Sequence, residues 1–498
     1  MDNTSQILKL RREKLQKIKD MGIDPYPVKS ERSHKIVELW NEQDKFIKDE
    51  IKVTIAGRLI AMRRQGKIGF GNLSDISGKI QLFVKRDELG EENYELFKLC
   101  DAGDFIQATG TAFITQTGEY SLKTTNIKLL TKNIRPLPAV KEKEENGKIV
   151  RYDEFADIEL RYRKRYLDLL LNPDRKETFI QRSQIIQAIR DYLNALDFIE
   201  VETPVLQPLY GGANARPFIT HHNSLNMELY LRIATELYLK RLIVGGFERV
   251  YEIGKNFRNE GMDRTHNPEF TLIEIYQAYS DLEGMMDITE GIIQNIAKTV
   301  FNKSVFPFHD HEINLGDKFR RASMADLVEE FSGFSAHDLD YDKIVAFMKE
   351  HKLFIPANVG PGKLLEELFE HFVEPNLIQP TFVTDFPTEV SPLAKTRRDN
   401  PKFVERFELF ICSGEYGNAF SELNDPLDQR ERLEAQALLR EMGDDEANVV
   451  DEDFLEALEY GMPPMGGLGI GVDRLIMLLT NNNSIKEVIL FPTMKPEA

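Results

Sequence analysis

Residues 249–260, "RVYEIGKNFRNE", alternate so that Glu252, Asn256, Arg258 and Glu260 share one side of an extended chain. After a loop, "FTLIEIY" sets Phe270, Glu274 and Tyr276 on one side of a second strand. Two such strands make a pair with a charged face, and few environments accept one. A solvated face explains the charges but leaves Phe270 among them unexplained, and a packed core face is ruled out by the cost of burying unpaired charge. A sheet whose polar face is the floor of a ligand site satisfies both. Arginine grips phosphate through two parallel hydrogen bonds and a ring stacks on a base, so Arg258, Phe270 and the loop's His266 suit a nucleotide.

Two further stretches carry chemistry. In "RFELFICSGEYGNAFSELND", a hairpin turning at Cys412 to Gly414 would bring the carboxylates of Glu408 and Glu415 together, as Mg2+ bound with phosphate oxygens requires. Asn418, Phe420 and Glu422 then repeat with period two on the returning strand. General acid–base work by Glu408 and Glu415 stays open, although no nucleophile is paired with them. In "GMPPMGGLGIGVDRLIMLL", a glycine-rich strand opens into an apolar helix through Asp473 and Arg474. Its glycines fit neither the dinucleotide nor the P-loop pattern and read as close approach of backbone to ligand or of helix to sheet.

The rest of the chain divides around these stretches. At 498 residues it has room for two to four domains. Residues 1–50 form a helical extension, opened by a basic amphipathic helix with Lys9, Arg11, Arg12, Lys14, Lys17 and Lys19 around Ile7, Leu8, Leu15 and Ile18. Residues 51–138 alternate as strands (Ile51, Val53, Ile55; Ile80, Leu82, Val84 after a Ser77–Gly78 turn), pass through a polar helix and end in two strands about Thr117–Gly118. Three strands, a helix and two strands is the order of a five-stranded OB barrel, whose open face holds single-stranded nucleic acid. Phe70, Gln81 and Glu119 are candidates for that face; Phe70 either stacks on a base or packs inward. Residues 139–156, "PAVKEKEENGKIVRYDE" at their core, read as a linker.

The second domain, 157–498, starts with a helix placing Phe179, Ile186, Leu193 and Leu196 at helical spacing, then a strand "FIEVET" stopped by Pro204. Residues 317–375 read as an inserted helical unit. A net charge of −18 disfavours nucleic-acid binding by the surface as a whole, leaving local patches. Two cysteines are too few for a disulfide framework, no apolar run approaches the length of a bilayer span, and a cytoplasmic protein is expected.

These motifs together resemble the class II aminoacyl-tRNA synthetases. "FIEVETPVL", "FRNEGMDRTHNPEFTLIEIY" and "GLGIGVDRLIML" look like the three signature motifs of that class, and the N-terminal barrel is similar to that of the lysyl, aspartyl and asparaginyl subgroup, IIb. "GGANARPF", "RIATELYLKRLIVGGFERVYEIGKNFRNEG" and "GNAFSELNDP" are most similar to the bacterial lysyl enzymes, and the resemblance spans nearly the whole chain. It implies an α+β protein in which an OB barrel precedes an antiparallel sheet flanked by helices, with the first motif as a homodimer interface. It also implies a reaction of L-lysine with ATP to lysyl-adenylate, then transfer to tRNA(Lys).

By the same resemblance, Arg258 and Arg474 are catalytic, and Arg258, Glu260, Arg264, His266, Phe270, Glu408 and Arg474 bind ATP. Glu408 and Glu415 hold Mg2+. Gly212, Glu236, Arg258, Glu274, Tyr276, Asn418, Phe420, Glu422 and Gly469 bind lysine, and Arg58, Phe70, Gln81 and Glu119 read the anticodon. Attack of a carboxylate on phosphorus needs positioning and charge stabilisation, so the missing nucleophile is expected. An aspartyl or asparaginyl enzyme, a paralogue that lysylates a protein and a noncatalytic RNA-binding scaffold are the alternatives. The first would want basic residues in the amino-acid pocket, the second lacks the barrel, and the third would tolerate loss of Arg258, Glu408, Glu415 or Arg474. Three departures from the family pattern stand out: Asp197 occupies a usual glycine, Thr265 rather than arginine precedes His266, and Ala419 in place of glycine is expected to narrow the pocket.

Overall fold

The computed structural model describes residues 3–138, 140–145, 148–153, 155, 157–356, 359–441 and 449–497. It divides into two compact units, 1–156 and 157–498.

The first unit is built on a closed barrel of β1 (Lys52–Gln65), β2 (Ile68–Asp75), β3 (Gly78–Lys85), β4 (Phe105–Ile114) and β5 (Tyr120–Thr131), paired in the order β1-β2-β3-β5-β4. Alternation sends Val53, Ile55, Leu59, Leu73, Ile80, Leu82, Val84, Ile106 and Leu122 into the interior, all but inaccessible to water. The helix between β3 and β4, Glu91–Leu99, is less polar in its role than in its sequence, because Tyr94, Leu96 and Phe97 are buried against the barrel core. The N-terminal helix Asn3–Asp20 docks through Ile18 and through Arg11, which donates to the Ala102 carbonyl at 3.0 Å, so one of its basic positions is turned inward. The stretch read as a featureless linker carries a two-stranded hairpin, β6 (Val140–Glu145) with β7 (Lys148–Asp153).

The second unit is an eight-stranded sheet in the order β16-β17-β18-β19-β20-β13-β12-β8, antiparallel except for its two outermost pairs. Its strands are β8 (Ile199–Glu200), β12 (Arg249–Phe257), β13 (Glu269–Ala278), β16 (Arg320–Ser323), β17 (Thr381–Pro387), β18 (Phe403–Ile411), β19 (Gly414–Ser421) and β20 (Met465–Gly471). Smaller sheets of β9 (Leu206–Gln207), β10 (Ile219–His222) and β11 (Met227–Leu231), and of β14 (Val305–Phe308) and β15 (His311–Asn314), complete the strands. The helices Arg175–Ala195, Leu282–Thr299 and Val472–Leu479 cover one face of the large sheet and share a core with Tyr251, Ile273, Leu409 and Ile470.

Four expectations change in this unit. The buried stripe of the helix Arg175–Ala195 is Ile185, Ala188, Ile189 and Leu193, while Leu196 is exposed. The strand after it is paired at only two residues, Ile199 and Glu200, because β12 meets it only there. The helical unit starts with an edge strand of the main sheet, β16, and its helices Met324–Ser332, Tyr341–Glu350 and Pro361–Phe372 pack onto Val383, Phe386 and Phe410 of that sheet. Ala419 is 1% exposed on the helix-covered side of β19 with Leu468 and Ile470, so its methyl does not narrow the pocket. Asp197 follows the helix with φ +62°, the left-handed conformation that explains why glycine is common there.

Candidate active site

The uncovered face of the sheet holds a cavity of about 470 Å³, and the register of three strands explains its lining. β20 lies between β13 and β19: Glu274 and Asn418 flank Gly469, and Tyr276 and Phe420 flank Gly467. Two polar stretches about 140 residues apart in the chain thereby become adjacent walls over a glycine floor. The two glycines differ in what they accommodate. A Cβ on Gly467 would collide with Glu422 and the Tyr276 ring, so that position is filled by protein. A Cβ on Gly469 would meet nothing nearer than the Asn418 carbonyl oxygen at 3.9 Å, so that space is open to a ligand.

Glu415 reaches this face through a bulge. Leu409 pairs with Gly417 but Phe410 pairs with Glu415, which leaves Tyr416 as an extra residue on β19. Period two would put Glu415 opposite Asn418 in orientation; the bulge restores it to the side of Glu408 and sends Tyr416 into the helix-covered core. The turn between the strands, Cys412–Ser413, holds both residues at positive φ, +49° and +62°, as a two-residue hairpin demands. Glu408 keeps 15% of its side chain exposed, and desolvation together with the nearby Glu415 charge raises its carboxyl to about 8, against the pull of Arg406. Arg406 holds Glu408 at 2.5 Å, and its Nε donates to Asn418 Oδ1 at 3.3 Å. Among the described residues no cluster of three or more metal-binding side chains occurs. Two like carboxyls facing one cavity instead fit a divalent cation that draws its other ligands from phosphate and water.

At the phosphate end, Arg258 lies just past β12, its guanidinium 5.2 Å from the centre of the Phe270 ring. Its buried Nε has no hydrogen-bond partner, and burial lowers its pKa from the usual arginine range. A buried, unpaired guanidinium N–H is a standing site for an anion. Arg474, in the first turn of the helix Val472–Leu479, donates to the Glu415 carbonyl at 2.8 Å and to His266 Nε2 at 2.9 Å. Arginine cannot accept, so His266 Nε2 is the acceptor and Nδ1 carries the proton donated to Asp263 at 2.8 Å. Burial opposes ionisation of Asp263, but this bond and the backbone N–H groups of Thr265 and His266 hold it down to about 2. Asp473 anchors this corner, accepting from the Thr271 N–H at 2.7 Å and pairing with Arg182 at 2.5 Å.

At the opposite end three acids crowd together. Glu274 accepts from the Thr235 N–H at 2.9 Å and from the Tyr276 hydroxyl at 3.3 Å, and burial raises it to about 7. Glu422 is 1% exposed, and burial raises it to about 8 although Lys240 pulls the other way. Lys240 Nζ lies 2.5 Å from Glu236 Oε1 and 2.6 Å from Glu422 Oε2, and those carboxylates hold it charged, up to about 12, against its own burial. The carboxyls outnumber the one ammonium, so burial and mutual repulsion push Glu274 and Glu422 upward while Lys240 stays charged.

Of the residues expected at the site, Gly212, Glu236, Arg258, Glu260, His266, Phe270, Glu274, Tyr276, Glu408, Glu415, Asn418, Phe420, Glu422, Gly469 and Arg474 all line this cavity. Arg264 does not: it is exposed, its carbonyl accepts from the Ile485 N–H at 2.7 Å, and Thr265 and His266 line the cavity in its place. Glu252, read on the same polar face, is structural, paired with Arg232 and accepting from the Thr203 N–H and hydroxyl. Sequence reasoning missed Lys240 and Arg406. Both had a signal, since Lys240 is one helical turn from Glu236 and Arg406 shares its strand face with Glu408.

On the barrel, Phe70 faces outward in a row of rings, 5.5 Å from Phe83, which lies 5.5 Å from Phe113; Arg63 caps Phe70 at 4.7 Å. Gln81 donates to Ser121 Oγ at 2.9 Å, Glu119 is exposed beside the β4–β5 turn, and Arg58 stacks on Phe105 while donating to the Gly103 carbonyl.

Residues 157–495 match the family model described as tRNA synthetases class II (D, K and N), and residues 53–130 match an OB-fold nucleic acid binding domain. Similar proteins include a lysine–tRNA ligase of Oceanobacillus iheyensis, 50% identical over 500 residues and 99% of each chain. A lysine–tRNA ligase of Lactococcus lactis is 51% identical over 98% of each chain, and one of Bacillus subtilis is 49% identical over 98% of this chain and 97% of its own.

Proposed function

The chain belongs to the class II tRNA synthetases of the aspartate, lysine and asparagine group, and from that premise we propose that it is a lysine–tRNA ligase. It joins L-lysine to ATP as lysyl-adenylate with release of pyrophosphate, then passes the lysyl group to the 3′-terminal adenosine of tRNA(Lys). The observation that carries the choice of amino acid is the acid pocket: Glu236, Glu274 and Glu422 around the single ammonium of Lys240. In such a pocket the acids outnumber the single ammonium, and lysine brings two more ammonium groups. An aspartate side chain would meet repulsion there, and a neutral one would leave buried acids unpaired.

The lysine carboxylate attacks the α-phosphorus and pyrophosphate leaves. Arg258, with its unpaired Nε, bridges the carboxylate and the α-phosphate and stabilises the charge that builds on the phosphorus oxygens. Phe270 and Arg474 enclose the adenine and Glu260 reads its edge, while His266, held in place by Asp263, stands beside the phosphates. Glu408 and Glu415 would hold Mg2+, which when bound neutralises phosphate charge and orients the leaving pyrophosphate. Glu236 takes the α-ammonium, Glu422, Glu274 and Tyr276 the ε-ammonium, and Gly212, Asn418, Phe420 and Gly469 shape the space between. Transfer follows when the terminal ribose hydroxyl attacks the lysyl carbonyl and AMP leaves.

Arg58, Phe70, Gln81 and Glu119 read the anticodon in this proposal, with Phe70 as the stacking ring. The enzyme is a homodimer through the first motif, where Leu196, Ile199, Val205, Leu206 and Leu209 are exposed. No helix among the described residues is long and apolar enough to cross a membrane. A cytoplasmic location goes with the reading because charging serves translation.

Exchange of labelled pyrophosphate into ATP, run against each amino acid, tests it: lysine alone should drive exchange, and aspartate or asparagine doing so instead refutes it. Glu422→Gln should raise KM for lysine roughly 100-fold, since it leaves a buried ammonium half-paired, with KM for ATP little changed. Equal effects on both would remove Glu422 from the ammonium site.

A further inference from the structure

We infer that Lys240 is a positioning residue for amino-acid recognition, an internal ammonium that fixes the Glu236 and Glu422 carboxylates and sets the charge of the pocket to match a ligand with two ammonium groups. The inference rests on the lysine reading above and concerns a residue that reading does not use.

Lys240 lies on the helix Glu236–Val244, one turn from Glu236, and its side chain is fully buried. It contributes nothing to the cavity wall itself. Burying an ammonium costs several kcal/mol unless its partners are well placed, and one carboxylate would suffice for a structural ion pair. Lys240 instead spans two, reaching Oε1 of Glu236 in its own helix and Oε2 of Glu422, just past β19. One oxygen of each acid is thereby held against the ammonium, that of Glu236 by a hydrogen bond. The contact with Glu422 is an ion pair by proximity, neither of its buried oxygens having a hydrogen-bond partner, and Oε1 lies where a side chain on Gly467 would have to go, at the edge of the glycine floor.

The charge count points the same way. With Glu236, Glu274 and Glu422 ionised, Lys240 leaves the pocket two negative charges, which the two ammonium groups of lysine neutralise while its carboxylate goes to Arg258. Without Lys240 the count is three, two carboxylates lose their tether, and mutual repulsion either swings them apart or forces protons onto them. The charged groups against Lys240 are Glu236 and Glu422, with the Phe454 ring at 5.9 Å, and Glu274 and Tyr276 act in turn on those two acids.

Lys240→Met removes the charge and keeps most of the volume, while Lys240→Gln keeps a hydrogen-bond donor; both are compared with the parent enzyme by lysine-driven exchange and by calorimetry of lysine binding in buffers of different ionisation enthalpy. We expect KM for lysine to rise about 30-fold or more, KM for ATP to stay within about threefold, and lysine binding to release about one more proton per site, because acids stripped of their counter-ion are protonated when empty. A merely structural residue would lower thermal stability and kcat without changing the proton count or separating the two KM values, and that outcome overturns the inference. So does failure of both neutral variants to fold, which would make Lys240 a support of the fold. Absence of lysine-driven exchange in the parent enzyme would instead refute the choice of substrate.

Discussion

Gly469→Ala offers the sharpest separation of fold from function. The new methyl would lie 3.9 Å from the Asn418 carbonyl oxygen and 4.0 Å from Glu274 Cγ, ordinary van der Waals distances, and Gly469 has no positive φ to be strained. Replacing glycine at a compatible backbone position stabilises by about 0.4–1 kcal/mol, chiefly by restricting the unfolded chain, so Tm should hold or rise by up to about 2 °C. The same methyl stands between Glu274 and Asn418 in the space left for ligand. Forcing a methyl into an occupied volume costs roughly 1–3 kcal/mol, which is about 5- to 150-fold in kcat/KM for lysine-driven exchange. Gly467→Ala is the control: its methyl collides with Glu422 and Tyr276 in the empty protein, so Tm falls along with activity. Full exchange by Gly469→Ala at unchanged Tm would show that the ligand does not lie over this floor; a lowered Tm would show that the space is not open.

Three more outcomes are expected. Glu422 and Glu274 sit at about 8 and about 7, above their unfolded values, so folding of the empty protein takes up protons there, and stability from these groups falls as pH rises toward 8. Lysine requires the ionised acids, so the rise in Tm that it produces should grow from pH 6 to pH 8 by up to about tenfold in affinity per unit for each proton displaced; a rise that is flat or shrinks across that range contradicts the assignment. Asp197→Gly should stabilise by about 0.5–1 kcal/mol in chemical denaturation, since the residue sits at φ +62°, and a loss of stability would mean that its side chain is engaged. Phe70→Ala should weaken charging of tRNA far more than it weakens exchange, by about 1–3 kcal/mol of stacking; equal KM values for tRNA in variant and parent would take the ring out of recognition.

Legibility followed the range of the interactions. Period-two alternation within one strand is a local property, so the polar face of Glu274 and Tyr276 and that of Asn418, Phe420 and Glu422 could be read directly. The barrel order was readable for the same reason, because each of its strands carries its own inward stripe. Less local features misled. Helical spacing placed Leu196 in the core, but the helix ends one residue earlier and its buried stripe is rotated. Arg264 is next to His266 in the chain, yet the loop turns it to solvent and offers Thr265.

By itself, then, the sequence determined that this chain builds a barrel followed by a sheet with one charged face, and which residue types that face presents to a nucleotide and a cationic amino acid. Tertiary structure decided what depends on neighbours distant in the chain. Insertion of β20 between β13 and β19 joined the two polar stretches, and the extra residue at Tyr416 returned Glu415 to the face of Glu408. Lys240 bridged acids 186 residues apart, Glu236 and Glu422. Sheet register, bulges and buried ion pairs are set by which strands meet and at what offset, and an alternation pattern leaves those free until the whole core has packed.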